Sequence, residues 1–301
     1  MRDRTTTHRT RRSSRTARDV GRERVIAALA VAVLFVAGGA GLALIAPRTP
    51  VAVATAAKVW KTVVATETPA PTDAPTPVFA SLRGVPLHLP IPACDVTTLA
   101  FHQSSYADTV ALTSLVRFDS PTRARAAATA ARATIKAGGV ATIAATPLDA
   151  SEDASGTWTG SALELWRSAR NVKQDTAVDC GAAPGTPVIS PVDGTVMQIR
   201  PYKLYKRVDD FEIHIKPDAW NDLDVIILHV TDPLLVPGAR VVAGVTQVAK
   251  VRRLSNVVSG LQLRNYSLDG GNHTHFQINR IPRPNDTWVL GQDPPGLVRH
   301  N

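Results

Sequence analysis

The chain has 301 residues, 44% of them hydrophobic and 20% charged, enough for a sizeable core and one to two domains. Its formal net charge of +9 is lopsided: Met1–Arg24 carries nine Arg against Asp3, Asp19 and Glu23, a net of +6, and the remaining 277 residues carry +3. A basic tail can bind nucleic acid, but the segment that follows argues for a membrane, and no nucleic-acid partner is expected. There is no Gly-x-Ser-x-Gly, no P-loop and no dinucleotide fingerprint.

Residues 1–24 form the basic tail and residues 25–46 an uncharged apolar run. Those 22 residues span about 33 Å as a helix, enough for a hydrocarbon core of about 30 Å. The one-sided Arg flank predicts a cytoplasmic N-terminus and a single pass through the cell membrane, with everything after Ala46 outside. The alternative is a cleaved signal, for which Ala54-Thr55-Ala56 offers a small-residue site. Residues 47–77 are a Pro/Thr/Ala-rich linker, whose second half, Glu67–Pro77, predicts an extended spacer.

Residues 78–170 read as a small α+β accessory segment. Leu82–Pro92 is extended, Asp108–Phe118 suits a strand, and Asp119-Ser120-Pro121 opens an Ala-rich helix that Gly138-Gly139 closes. In residues 171–290 short β-branched runs alternate with turns. Strands are predicted at Thr186–Ser190, Gly194–Arg200, Phe211–Lys216, Val225–Val230, Arg240–Val242, Gln247–Val251 and His273–Asn279. Turns are predicted at Pro191–Gly194, Asp209-Asp210, Pro217-Asp218, Pro237-Gly238 and Asp269–Gly271. The pattern is mainly β and mostly antiparallel. Residues 291–301 are a C-terminal tail.

Within His273-Thr274-His275-Phe276-Gln277-Ile278 the period of two puts both imidazoles on one face, with Phe276 and Ile278 toward the core. Such a pair can present two nitrogens to one metal or one water, and is also common on a plain polar face. Lys203, Lys206 and Arg207, interleaved with Tyr202 and Tyr205, make a basic-aromatic cluster that suits an anionic polymer or a solvated loop.

Three stretches in order, Gly185–Val196, Val236-Pro-Gly238 with Val241–Gly244, and the closing His273-Thr-His275-Phe276, resemble landmarks of the lysostaphin/LytM-type zinc metalloendopeptidases, over about a third of the chain. The resemblance implies a compact antiparallel β-sandwich or barrel-like peptidase domain of the duplicated-hybrid-motif type, with Zn2+ in a groove. It implies Asp179 and His275 as metal ligands, His229 and His273 as catalytic residues beside the bound water, and peptidoglycan peptides as substrate.

One departure stands out. Asp175, four residues before Asp179, occupies the place of the family's first ligand His. Asp175 can serve as a carboxylate ligand. Otherwise the domain has become a degenerate module that binds wall peptide or regulates a partner cell-wall hydrolase. A candidate substitute ligand is His102, eight residues after Cys94, whose alternative role is that of a buried or half-buried structural histidine. In an exported chain Cys94 and Cys180 are expected to pair, which would tether His102 beside Asp179; two free thiols are the alternative.

Overall fold

The computed structural model describes residues 74–141, 153, 155–167, 170 and 172–297, all within the unit Lys61–Asn301. The basic tail, the apolar run Val25–Ala46 and most of the linker lie outside the described residues. Among those described, no helix is long and apolar enough to cross a membrane.

The molecule is mainly β. In chain order the elements are β1 (Val78–Leu82), β2 (Val85–His88), β3 (Thr98–His102), β4 (Thr113–Ser114), β5 (Arg117–Asp119), α1 (Pro121–Lys136), β6 (Ser161–Leu165), β7 (Ala177–Gly181), β8 (Pro187–Ile189), β9 (Gly194–Leu204), β10 (Val208–Pro217), β11 (Leu223–Thr231), β12 (Arg240–Val241), β13 (Gln247–Val251) and β14 (His273–Arg280). A small sheet has the order β2-β1-β4, and a large one runs β12-β9-β10-β11-β14-β7-β3-β6-β5, with β13 pairing both β11 and β8.

The segment 78–170 extends the large sheet. β3 pairs antiparallel with β7, and β6 pairs parallel with both β3 and β5, so the antiparallel sheet expected from the sequence ends in a mixed edge. Between β5 and β6, α1 starts where the sequence places it: the Ser120 hydroxyl accepts from the Arg123 N–H at 3.4 Å, with Pro121 in the first turn. Its buried face is Ala124, Ala128 and Ala131, side chains short enough for close packing over Leu163, Leu165 and Leu263.

The core lies on one face of β3, β7 and β14. Phe101, Val178, Phe276 and Ile278 are fully buried there, and Phe79 packs against Phe101 and Phe276 at ring distances of 5.9 and 6.3 Å. Burying each such ring stabilises the fold by about 1.5–3 kcal/mol. Strict alternation along β14 then places His273, His275 and Gln277 on the opposite face.

Two expectations are corrected. Asp209-Asp210 is not a turn. The β9–β10 hairpin reverses at Tyr205–Arg207, where Tyr205 and Lys206 take φ of 50° and 59°, and Asp210 lies buried within β10. Nor do the cysteines pair: Cys94 is free and exposed, while Cys180 is free and buried in the core on β7. Burial, followed by the nearby Asp179 charge, pushes the Cys180 thiol well up. The approach of His102 to Asp179 comes instead from the β3–β7 ladder, in which Leu99 stands opposite Cys180 and Ala100 opposite Asp179.

Candidate metal centre and cleft

Strand register builds the site. On β7 Asp179 stands opposite His275 of β14 on one side and Ala100 of β3 on the other. His102, two residues beyond Ala100 and on the same face, reaches Asp179 diagonally. All three side chains are buried, and their ligand atoms lie within 4.8 Å of one another. The Oδ1 of Asp179 is 3.0 Å from His102 Nε2, 2.8 Å from His275 Nδ1 and 3.8 Å from His273 Nε2.

The outward ring nitrogens decide what faces inward. His102 Nδ1 donates to the Gln103 carbonyl at 2.7 Å, so its Nε2 carries a lone pair, and that buried nitrogen has no hydrogen-bond donor or acceptor satisfying it. His275 Nε2 meets Gln277 Oε1 at 2.9 Å; the Gln277 amide is oriented by its own donation to Asn279 Oδ1 at 2.8 Å. His275 Nδ1 is itself 2.8 Å from Asp179 Oδ1, so a neutral ring gives its one proton either to Asp179 or to Gln277. With the proton on Gln277, two imidazole lone pairs and a carboxylate oxygen crowd one point, an arrangement that a cation relieves. Two imidazoles and a carboxylate are also a zinc donor set with a position left open. The residues present therefore fit the ion.

Burial alone would raise the Asp179 carboxyl, but positive charge facing it, from the His102 and His273 rings in their protonated form and from the Arg167 guanidinium, outweighs burial and holds it well below the usual carboxylate range. Burial lowers His273 and His275 despite the pull of Asp179, favouring neutral rings. Arg167, at the end of β6, donates through Nη2 to Asp179 Oδ2 at 2.6 Å and through Nε to Gln262 at 2.9 Å.

His229 reaches the same face through a bulge. Phe211 pairs with Val230 and Glu212 with Leu228, so His229 has no opposite residue, and it takes φ of 62°. A bulge of this kind re-aims a side chain, at a backbone cost on the order of 1–3 kcal/mol outside glycine. Its ring lies 5.1 Å from that of His273 and 5.9 Å from that of His275. Nδ1 donates to Asp210 Oδ2 at 2.8 Å, which Tyr202 also donates to at 2.7 Å; Asp210 Oδ1 accepts from the Phe211 and Val230 N–H groups. Burial and Asp210 raise the Tyr202 phenol, so it remains a donor. His273 donates from Nδ1 to the Gly271 carbonyl at 2.7 Å, leaving its Nε2 toward Asp179.

Asp179, His229, His273 and His275 line a cleft of about 570 Å³, with His102 buried behind them. No family model matches the chain, and no curated protein sequence matches it. Solved structures do. LytU is 21% identical over 40% of this chain and 70% of that one, with a TM-score of 0.28. The catalytic domain of a point mutant of the prophage-encoded M23 protein EnpA from Enterococcus faecalis is 19% identical over 40% and 77%, with a TM-score of 0.26. A zinc-containing peptidase from Vibrio cholerae is 19% identical over 48% of this chain and 35% of that one, again at 0.26. At such scores the weight falls on the site itself.

The structure brings together five of the residues singled out in the sequence: His102, Asp179, His229, His273 and His275. Asp175 stays apart. It precedes β7 with φ of 59°, lies outside the metal-competent cluster, and has Glu164 rather than Asp179 as its charged neighbour, which with burial raises its carboxyl. The sequence reading missed Arg167, for which no local motif exists. It also missed Asp210, because an Asp-Asp pair reads as a turn.

Proposed function

We propose that the chain is a membrane-anchored, zinc-dependent endopeptidase that cuts peptidoglycan peptides, with His102, Asp179 and His275 as its metal ligands. The observation that carries this reading is the convergence of two imidazole nitrogens on one buried carboxylate oxygen. A bound zinc ion would polarise the scissile carbonyl and acidify water. His229 and His273 both commit Nδ1 to a partner, Asp210 and the Gly271 carbonyl, which leaves Nε2 as the exchanging nitrogen of each ring. Either nitrogen can accept a proton from an attacking water and return it to the leaving amine. Asp210, fixed by Tyr202 and two backbone N–H groups, holds the His229 ring and offsets positive charge gained there.

One observation favours a second reading, a non-catalytic module that binds wall peptide or regulates a wall hydrolase. Arg167 already neutralises Asp179 through Oδ2, as a site without an ion would require. The two are separated by muropeptide release from purified peptidoglycan. The enzyme reading expects release by the wild type, none after chelation, recovery on adding zinc, and none from His275→Ala. A folded wild-type chain that releases nothing in the presence of zinc contradicts it.

A further inference from the structure

Three guanidiniums, of Arg167, Arg170 and Arg200, line the cleft beside the histidines. Two are matched: Arg167 by Asp179 and Arg200 by Glu212. The third is not. Among the described residues no carboxylate lies within ion-pair distance of Arg170. Its Nη1 donates to the Gln103 carbonyl and lies 3.4 Å from His102 Nδ1. A guanidinium offers five N–H donors in a planar fork, so most of this one's capacity is unspent on the protein. It is half-buried. A partly desolvated cation with no carboxylate in ion-pair reach is costly until something supplies the counter-charge. On the same rim Tyr106 and Tyr205 are 38% and 69% exposed, so their rings are available to flank a chain laid in the cleft.

We infer that Arg170 is a carboxylate subsite: it takes a free carboxylate of a peptide lying in the cleft beside Asp179, and so makes the cleft select anionic peptides over their amidated forms. A planar carboxylate can accept two parallel N–H bonds from the fork, whereas a carboxamide of the same shape offers one acceptor oxygen and no charge. This inference rests on reading the cleft as a peptide site and not on whether the peptide is cut. Binding therefore tests it even if zinc and hydrolysis fail.

The experiment titrates the full-length chain calorimetrically with a stem tetrapeptide carrying free carboxylates, and with the same peptide converted to carboxamides. The wild type is expected to bind the free form about tenfold tighter or more, the range of a charge-assisted hydrogen bond. Arg170→Gln is expected to bind both forms alike, and Arg170→Lys to keep part of the preference. Arg125→Gln, an exposed charge on α1, is expected to keep all of it. Unchanged thermal unfolding of the variants shows that they are folded. Equal binding of the two peptides by the wild type, binding of neither, or an undiminished preference in Arg170→Gln each overturns the subsite.

Discussion

Two buried histidine–carboxylate centres lie in the same large sheet and reach opposite results. On β10 and β11 His214 gives each ring nitrogen a different carboxylate: Nδ1 is 2.7 Å from Asp224 Oδ2, and Nε2 is 3.4 Å from Glu212 Oε1, while Arg200 meets the other oxygen of Glu212. On β3, β7 and β14 the ratio is inverted, and His102 and His275 each turn a ring nitrogen on one oxygen of Asp179. Both centres are almost without exposure. One imidazole between two carboxylates has a carboxylate for each of its ring nitrogens. Two imidazoles on one oxygen, their outer nitrogens already engaged with Gln103 and Gln277, ask for a cation. Residue type and burial do not separate a structural centre from a metal-competent one; the ratio of groups and the partners behind them do.

The largest effect is expected from exchanging one carboxylate in each centre. Asp179→Asn removes the charge on which both ring nitrogens converge, and should abolish zinc binding and reduce muropeptide release to background. Asp224→Asn should leave zinc content unchanged. It should cost stability instead, about 3 kcal/mol in urea unfolding, because it strips one member from a buried charged set. Loss of zinc from Asp224→Asn would mean that the two centres are not independent.

A smaller effect falls on rate alone. His229→Ala should retain zinc and slow muropeptide release by about 100-fold, the contribution of a positioned acid–base group. Wild-type rates in that variant would assign proton transfer to His273. Smaller again is the backbone term at the same position. At φ of 62° glycine is relaxed and alanine is not, so His229→Gly should unfold about 1 kcal/mol later than His229→Ala. Equal stability of the two would remove the argument that the bulge is held under strain. The smallest effect is an expected absence: Asp175→His should leave zinc affinity as it is, because position 175 does not meet the cluster. A clear gain in affinity would put residue 175 back among the ligands.

Much of this centre was legible in the sequence, and the gaps have physical causes. The alternation of His273, His275, Phe276 and Ile278 settled their faces because a strand's period is two. β13 has the bounds that its β-branched run predicts. Asp179 was marked through the family resemblance, although β7 was not predicted as a strand: Ala177-Val-Asp-Cys-Gly181 is short, buried along its whole length and without alternation. The nearness of His102 was anticipated for the wrong reason. A disulfide was expected to bring it in, whereas a strand ladder does so with both thiols free. Strand partners far apart in sequence leave no local mark, and neither does an arginine such as Arg167 that meets its carboxylate only through that ladder. His229 read as a strand residue, and nothing local announces that a bulge turns it into the cleft.

The most direct test of the central claim is the zinc content of the purified full-length chain, measured by elemental analysis for the wild type and for His102→Ala. If His102 completes the ligand set with Asp179 and His275, the wild type holds one zinc per chain and His102→Ala, still folded, holds none. A wild type without zinc, or a His102→Ala variant that keeps its full complement, contradicts the account.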